Sequence, residues 1–418
     1  MDKQRLKNVI ADQRHIFLNR TDIIDRDIDL SKYLSTGQIV VVAGVRRCGK
    51  SSLLSIIRRK LNLTEDEFCY LNLDDERLEN KVEIFSELHE LHLEMYGKEP
   101  VFFLDEVQLV PGWEKFVNRM YEQGLKVFVT GSNAQLLSSE LATTLTGRTK
   151  ILELFPFSFF EYLRYFNKKY SLDQLSVAQR SSLKSDLTKY LSNGGFPLVV
   201  KENDVDLLNG WFQDILYRDI VARYNLTSIA ELKQTAIYLI TNMGKLFSYS
   251  TLQKVSGLKS SSSVKDFLGY FEASYLFYYV RKFDYSVKKQ ILNSRKLYVI
   301  DNGIHTRLGV NFSENKGRLL ENAVFIELLR RKKEVFYYKG KNECDFLIVE
   351  NLQVKEAIQV TYEINEHNVE RELKGLKEAA KEHQITRLTL IVFEDLKYQV
   401  DKDINVITLY DWLLKNES

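Results

Sequence analysis

The stretch GQIVVVAGVRRCGKSSLL, residues 37–54, constrains this chain more than any other. Gly44 to Ser51 satisfies the pattern G-x-x-x-x-G-K-[ST] in full. The run before it is short and β-branched, as a parallel strand buried on both faces requires. The run after it spaces apolar residues as a helix does and places basic residues late, where they oppose the helix dipole. Strand, glycine loop and helix therefore occur in the order of a phosphate cradle. Gly44, Val45, Arg46, Arg47, Cys48, Gly49 and Ser52 line it with backbone amides at a helix N-terminus. Lys50 is expected to reach the β and γ phosphates of ATP, and Ser51 to hold Mg²⁺.

Two further stretches belong with this loop. EPVFFLDEVQ, residues 99–108, reads as a buried strand that ends in Asp105 and Glu106. Acids at the C-terminal end of a parallel strand face the ligand edge of the sheet. Asp105 is expected to hold Mg²⁺ through water, and Glu106 to polarise the attacking water. LKVFVTGSNAQLL reads as a strand over 126–130 whose polar tip, Asn133, would sit beside the γ-phosphate. Residues 134–147 read as a helix and a new strand starts near 149, which leaves Arg148 between the two. An arginine there can reach a neighbouring subunit's nucleotide and neutralise charge in the transition state.

Composition bounds the rest. At 418 residues and 44% hydrophobic content the chain is too long for one core, so two to four domains are expected. A formal net charge of +2 provides no chain-wide attraction to nucleic acid, although a local basic face is compatible with it. Cys48, Cys69 and Cys344 lie far apart, which suits a reducing compartment and a cytoplasmic protein. The N-terminal residues lack a signal-peptide core, and no uncharged apolar run reaches the roughly 18 residues a membrane span needs. His89 and His92 share a helix, IFSELHELHLEMY, and are expected on its exposed face rather than as metal ligands.

The succession DEVQ, TGSN, LTGR and ELFPFSFFEYL, followed by SNGGFP at 192–197 and DILYRDIV at 214–221, resembles the AAA+-type ATPases that carry a C-terminal DUF4143 module. The resemblance runs from about residue 15 to the end of the chain. It implies an α/β fold: a P-loop AAA+-type parallel sheet with a helical lid, a winged-helix segment and a restriction-endonuclease-like domain. The corresponding divisions are 1–155, 156–227, 228–310 and 311–418. It also places Arg20 and Arg26 among the family's N-terminal basic residues. Assembly into a homo-oligomeric ring, hexameric or heptameric, is implied too.

The middle of the chain is mostly amphipathic helix, with Gly194-Gly195 as a stop and Arg218 and Arg223 as lid cations or ion-pair partners. Residues 228–308 read as three helices and two strands, the order of a winged helix. Ser261 or Ser262 would cap its third helix, and Lys259, Lys265, Arg281, Lys282, Lys288 and Lys289 give it a basic tint suited to DNA.

Residues 311–418 read as an αβββαβ-like order and resemble the PD-(D/E)xK nuclease fold. That resemblance puts Glu321 at the helix acid and Asp345 at the first strand acid, both holding Mg²⁺. The E-x-K triplet reads Gln359-Val360-Thr361 instead. A glutamine carbonyl can ligate a metal, but threonine cannot replace the cation; Lys339 or Lys341 would have to supply it. The missing lysine favours a domain kept for DNA binding, folding or assembly over one that cuts. The expected function is a Mg²⁺-dependent AAA+ ATPase acting on branched or single-stranded DNA. The alternative is a nucleotide-controlled signalling or defence switch whose C-terminal domain recognises a partner.

Overall fold

The computed structural model describes residues 3–21, 23–133, 145–258, 260–310, 316–366, 368–394 and 400–415. They fall into two compact units, residues 1–155 with 273–275, and residues 156–272 with 276–418.

The first unit is a five-stranded parallel sheet in the order β2-β3-β4-β1-β5. Its strands are β1 (Ile39–Ala43), β2 (Phe68–Asn72), β3 (Val101–Asp105), β4 (Val127–Gly131) and β5 (Thr149–Glu153). Helices α1 (Lys3–Leu18), α2 (Lys50–Lys60), α3 (Glu83–Tyr96) and α4 (Trp113–Glu122) accompany them. Residues of β1 and β4 are buried throughout, which explains their unbroken apolar runs. β5 forms one edge, where Lys150 and Glu153 discourage pairing with another chain. The order puts β4 between β1 and β3, so the ends of all three meet on one side. The helix expected over 134–147 lies mostly outside the described residues. His92 corrects the expectation of an exposed face: it is buried against Tyr96, because positions 84, 85, 88, 91 and 92 of α3 form its inner stripe. His89 is half-buried and pairs with Glu99 at 2.6 Å.

The second unit begins with α5 (Phe159–Tyr165) and α6 (Val177–Asn193). α6 stops at Gly194, where φ is 80° and a Cβ would meet Asp301 Oδ1 at 1.7 Å. Asp301 accepts from the Gly195 amide at 2.7 Å, and burial pushes its carboxyl up to about 6. The helices of 156–227, which the sequence assigns to a lid, thus pack within this second unit. Arg218 is exposed on a π-helical stretch, Ile215–Val221, and Arg223 follows it half-buried.

Next come α7 (Ile229–Thr241), β6 (Leu246–Phe247), α8 (Tyr249–Ser256), α9 (Ser261–Ala273), β7 (Phe277–Arg281) and β8 (Arg295–Val299). The three strands form an antiparallel sheet in the order β6-β8-β7. The cap of α9 differs from expectation: Ser260, not Ser261 or Ser262, accepts the Ser263 amide at 3.1 Å. Its hydroxyl reaches three residues on, as an N-cap must. Lys259 lies outside the described residues.

The C-terminal part holds α10 (Lys316–Arg330), β9 (Glu334–Lys339), β10 (Glu343–Glu350), β11 (Gln353–Thr361), α11 (Val369–His383), β12 (Arg387–Val392) and β13 (Ile404–Thr408). Its mixed sheet runs β13-β12-β11-β10-β9, antiparallel through β9, β10 and β11 and parallel from β11 to β13. Leu373, Leu376 and Ala379 of α11 cover Cys344, Leu347 and Leu390 on one face. Phe325 of α10 stacks on Tyr298 and Phe346 on the other.

Candidate nucleotide-binding site

The loop between β1 and α2 is held tightly before any ligand is considered. Gly44 must be glycine, because a Cβ there would lie 2.2 Å from the Leu154 carbonyl oxygen. Arg47 and Gly49 take left-handed φ of 72° and 102°, which turns the chain sharply into α2. Arg26 braces the loop from outside, donating to the Cys48 carbonyl at 3.1 Å and to the Phe155 carbonyl at 2.7 Å. Arg20 reaches the Ser52 hydroxyl at 3.5 Å. The two N-terminal arginines thus support the loop and its helix. Val45 and Cys48 are buried beneath the loop, where burial raises the Cys48 thiol. Arg46 is buried too and faces Asp74 at 3.6 Å.

Lys50 Nζ lies 3.1 Å from the Gly44 carbonyl, 3.3 Å from that of Val45 and 3.4 Å from Glu106 Oε1. Ser51 faces Asp105 closely enough to favour its ionised carboxylate. The loop is therefore joined to the end of β3 by a lysine–glutamate pair, with Ser51 set beside Asp105. Asp105 is fully buried, and burial together with Glu106 raises its carboxyl above the ordinary range. Burial acts the same way on Glu106, but Lys50, Gln108 and Arg46 outweigh it and hold that carboxylate below its ordinary value. The two neighbouring acids are thus pushed apart, as an acid pair with divided roles requires. Glu106 has φ 56° and ψ 46°. A side chain in that left-handed region costs on the order of 1 kcal/mol, so the surroundings must impose it.

One residue essential to this geometry is not apparent from motif spacing. The β3–β4 register pairs Leu104 with Val129, so Thr130 falls beside Asp105. Thr130 Oγ1 donates to Asp105 and accepts the Glu106 amide at 2.9 Å. Tyr70 of β2 adds a donation to Asp105 Oδ2 at 3.1 Å. Gln108 Nε2 donates to Glu106 Oε2 at 2.5 Å and to the Ser132 hydroxyl at 3.2 Å. Asn133 is buried just past the end of β4. Arg148 lies at the other end of the sheet: its carbonyl accepts the amide of Ile39, the first residue of β1. Its guanidinium pairs with Glu122 at 2.8 Å and sits over the Tyr121 ring.

A second polar cluster lies within the second unit. Lys296 Nζ, from β8, meets Glu321 Oε1 at 2.7 Å, Glu343 Oε1 at 2.9 Å and Asp345 Oδ1 at 2.9 Å. Burial opposes its charge, but Asp345, Glu321 and Glu343 outweigh that and hold Lys296 well above the usual lysine range. Glu321 and Asp345 are thus brought together as expected, around a lysine the sequence did not single out. Gln359 does not join them: its carbonyl oxygen accepts the Asp345 amide at 3.3 Å and its amide donates to Glu372 at 3.0 Å. Thr361 donates to the Glu363 carbonyl. Lys339 touches only the outer oxygen of Glu343, at 3.3 Å, and Lys341 contributes its backbone amide to Glu378. The ammonium among these acids therefore comes from β8, outside residues 311–418.

The AAA_14 family, an AAA domain, matches residues 36–163; DUF8612 matches 184–315 and DUF4143 matches 316–412. The Methanocaldococcus jannaschii protein MJ1544 is 36% identical across 99% of this chain and 96% of its own length. A Haemophilus influenzae protein is 31% identical across 92% of this chain and 96% of its own. The Walker-type ATPase PABY2304 of Pyrococcus abyssi is similar in structure at 18% identity and a TM-score of 0.42, over 70% of this chain and 97% of that one.

Proposed function

The chain belongs to the family of MJ1544 from Methanocaldococcus jannaschii, with an AAA-type P-loop ATPase fold followed by a DUF4143 domain, and from that premise we propose that it binds and hydrolyses ATP with Mg²⁺. The observation that carries this reading is the link from loop to strand between Lys50 and Glu106, with Ser51 beside Asp105. It sets a cation for the β and γ phosphates beside a carboxylate able to orient water.

Mg²⁺ bound with ATP supplies charge neutralisation across the two terminal phosphates. Ser51 and Asp105 are the residues that would hold it, and Ser51 already favours the ionised form of Asp105. Lys50 already lies inside the loop and turns from the Gly44 and Val45 carbonyls to phosphate oxygens. That movement loosens its pairing with Glu106, which then orients the attacking water. The low proton affinity of Glu106 keeps it ionised for this task. Asn133 faces the γ-phosphate from the end of β4. Arg148, at the opposite end of the sheet from its own loop, serves a neighbouring subunit's nucleotide, which makes the active form an oligomer.

We assign residues 1–155 to the ATPase core, 156–227 to a helical lid, 228–310 to a winged helix and 311–418 to the DUF4143 domain. Branched or single-stranded DNA is the proposed partner, through the winged-helix segment. The switch reading draws on the same pair, since the engagement of Glu106 by Lys50 suits slow turnover. The deciding experiment measures ATP hydrolysis with and without a panel of DNA structures, alongside the mass of the ATP-bound assembly. DNA-stimulated turnover by an oligomer supports the motor. Slow turnover indifferent to every DNA supports the switch, and Lys50→Ala that still binds and hydrolyses ATP refutes both.

A further inference from the structure

A nuclease of the αβββαβ order holds its divalent cation where the helix acid and the strand acid converge. Here that point is taken. The three N–H groups of the Lys296 ammonium meet three carboxylates at 2.7 to 2.9 Å. Two of the three remaining oxygens are committed as well. Glu321 Oε1 also accepts from the Tyr298 hydroxyl at 2.6 Å, Asp345 Oδ2 accepts the Val360 amide at 3.0 Å, and Glu343 Oε2 pairs with Lys339 at 3.3 Å. A magnesium ion demands oxygens at about 2.0–2.1 Å in near-octahedral array, and it carries charge that repels an ammonium in the same place. The residues present therefore do not fit the metal.

Lys296 is also anchored. It sits in the central strand of its sheet, paired with Leu246 on one side and Val280 on the other, and it is only 2% exposed. The strand that bears it is fastened to the C-terminal part at neighbouring positions. Asn322 of α10 exchanges hydrogen bonds with the amide and carbonyl of Val299, both at 2.9 Å, and the Tyr337 hydroxyl donates to the Ser294 carbonyl at 2.6 Å.

We propose that the Lys296 ammonium stands in place of a divalent cation, so that the DUF4143 domain does not cleave DNA and the cluster instead fastens the β6-β8-β7 sheet to it. The strands β6, β7 and β8 and the mixed sheet β9–β13 then move as one body. This inference is independent of the ATPase reading.

The test uses the full-length protein without nucleotide and counts bound Mn²⁺ by electron paramagnetic resonance. Wild type and Asp345→Asn are expected to bind equally, because the cluster takes no metal. Lys296→Ala is expected to gain one ion, and Lys296→Ala/Asp345→Asn to lose it again. A wild-type ion that Asp345→Asn abolishes overturns the proposal, as does a folded Lys296→Ala that gains none. If Lys296→Ala does not fold, plasmid cleavage in Mn²⁺ decides: cutting by wild type that Asp345→Asn abolishes refutes the proposal, and no cutting by either upholds it.

Discussion

Thr130→Val is the sharpest probe of the nucleotide site, because it removes one oxygen and keeps the shape. That hydroxyl donates to the Asp105 carboxylate and accepts the amide of Glu106. A hydrogen bond to a charged acceptor contributes about 1.5–3 kcal/mol, and a buried amide left without an acceptor costs about 1–3 kcal/mol. The loss therefore comes to roughly 3 kcal/mol or more. At about 2–4 °C per kcal/mol for a unit of this size, the calorimetric transition of the first unit should fall by on the order of 10 °C. The chemistry should shift as well. Burial and Glu106 already raise the Asp105 carboxyl, and Thr130 acts against them. Without Thr130, Asp105 holds its proton to higher pH, so the Mg²⁺ concentration for half-maximal ATP hydrolysis should rise, most strongly at acidic pH. Thr130→Ser should restore both properties. Thr130→Val that melts within about 2 °C of wild type, with unchanged Mg²⁺ dependence, would refute the reasoning.

Other outcomes follow from the same geometry. Mixing Arg148→Ala with Lys50→Ala subunits should recover part of the hydrolysis lost in each alone; a mixture as inactive as its components shows that Arg148 does not act across subunits. Burial, aided by Arg14, lowers the His92 ring to about 4 from an ordinary 6.5. The unfolded chain takes up that proton first, so the contribution of the neutral ring is full above about pH 6.5 and is lost as pH falls toward 4. Urea midpoints measured across that range should fall more steeply in wild type than in His92→Leu, and parallel curves would show the ring plays no part. Arg26→Ala should lower ATP affinity by loosening the Cys48 and Phe155 carbonyls, read by nucleotide titration; unchanged affinity would make the brace irrelevant.

The nucleotide site was legible where short-range chemistry dictates it. The loop glycines, Lys50, Ser51 and the acids after β3 announce themselves by spacing, because a phosphate cradle needs them in that order. Thr130 and Tyr70 did not, since their roles arise from strand order. Nothing in TGSN or FCYLN says that one strand lies between β1 and β3 and the other beyond β3. The same limit explains Lys296. Its sequence neighbourhood, RKLYVID, reads as a basic strand of the winged-helix segment, while its three partners lie 25 to 49 positions later. Gln359-Val360-Thr361 holds no cation, and the ammonium beside Asp345 comes from a different strand. His92 follows Leu88 by four residues, so the helical period puts it on the buried stripe although its side chain is polar.

The role proposed for Glu106 is to orient water for ATP hydrolysis at this loop. Glu106→Gln keeps the side chain's size and removes its charge, so the direct measurement is nucleotide binding and steady-state hydrolysis of this variant beside wild type. Wild type should turn over ATP in Mg²⁺, whereas Glu106→Gln should still bind it but hydrolyse it at least about 10²-fold more slowly. Equal turnover by the two, or a wild type that binds ATP and Mg²⁺ without hydrolysing it, would contradict the account.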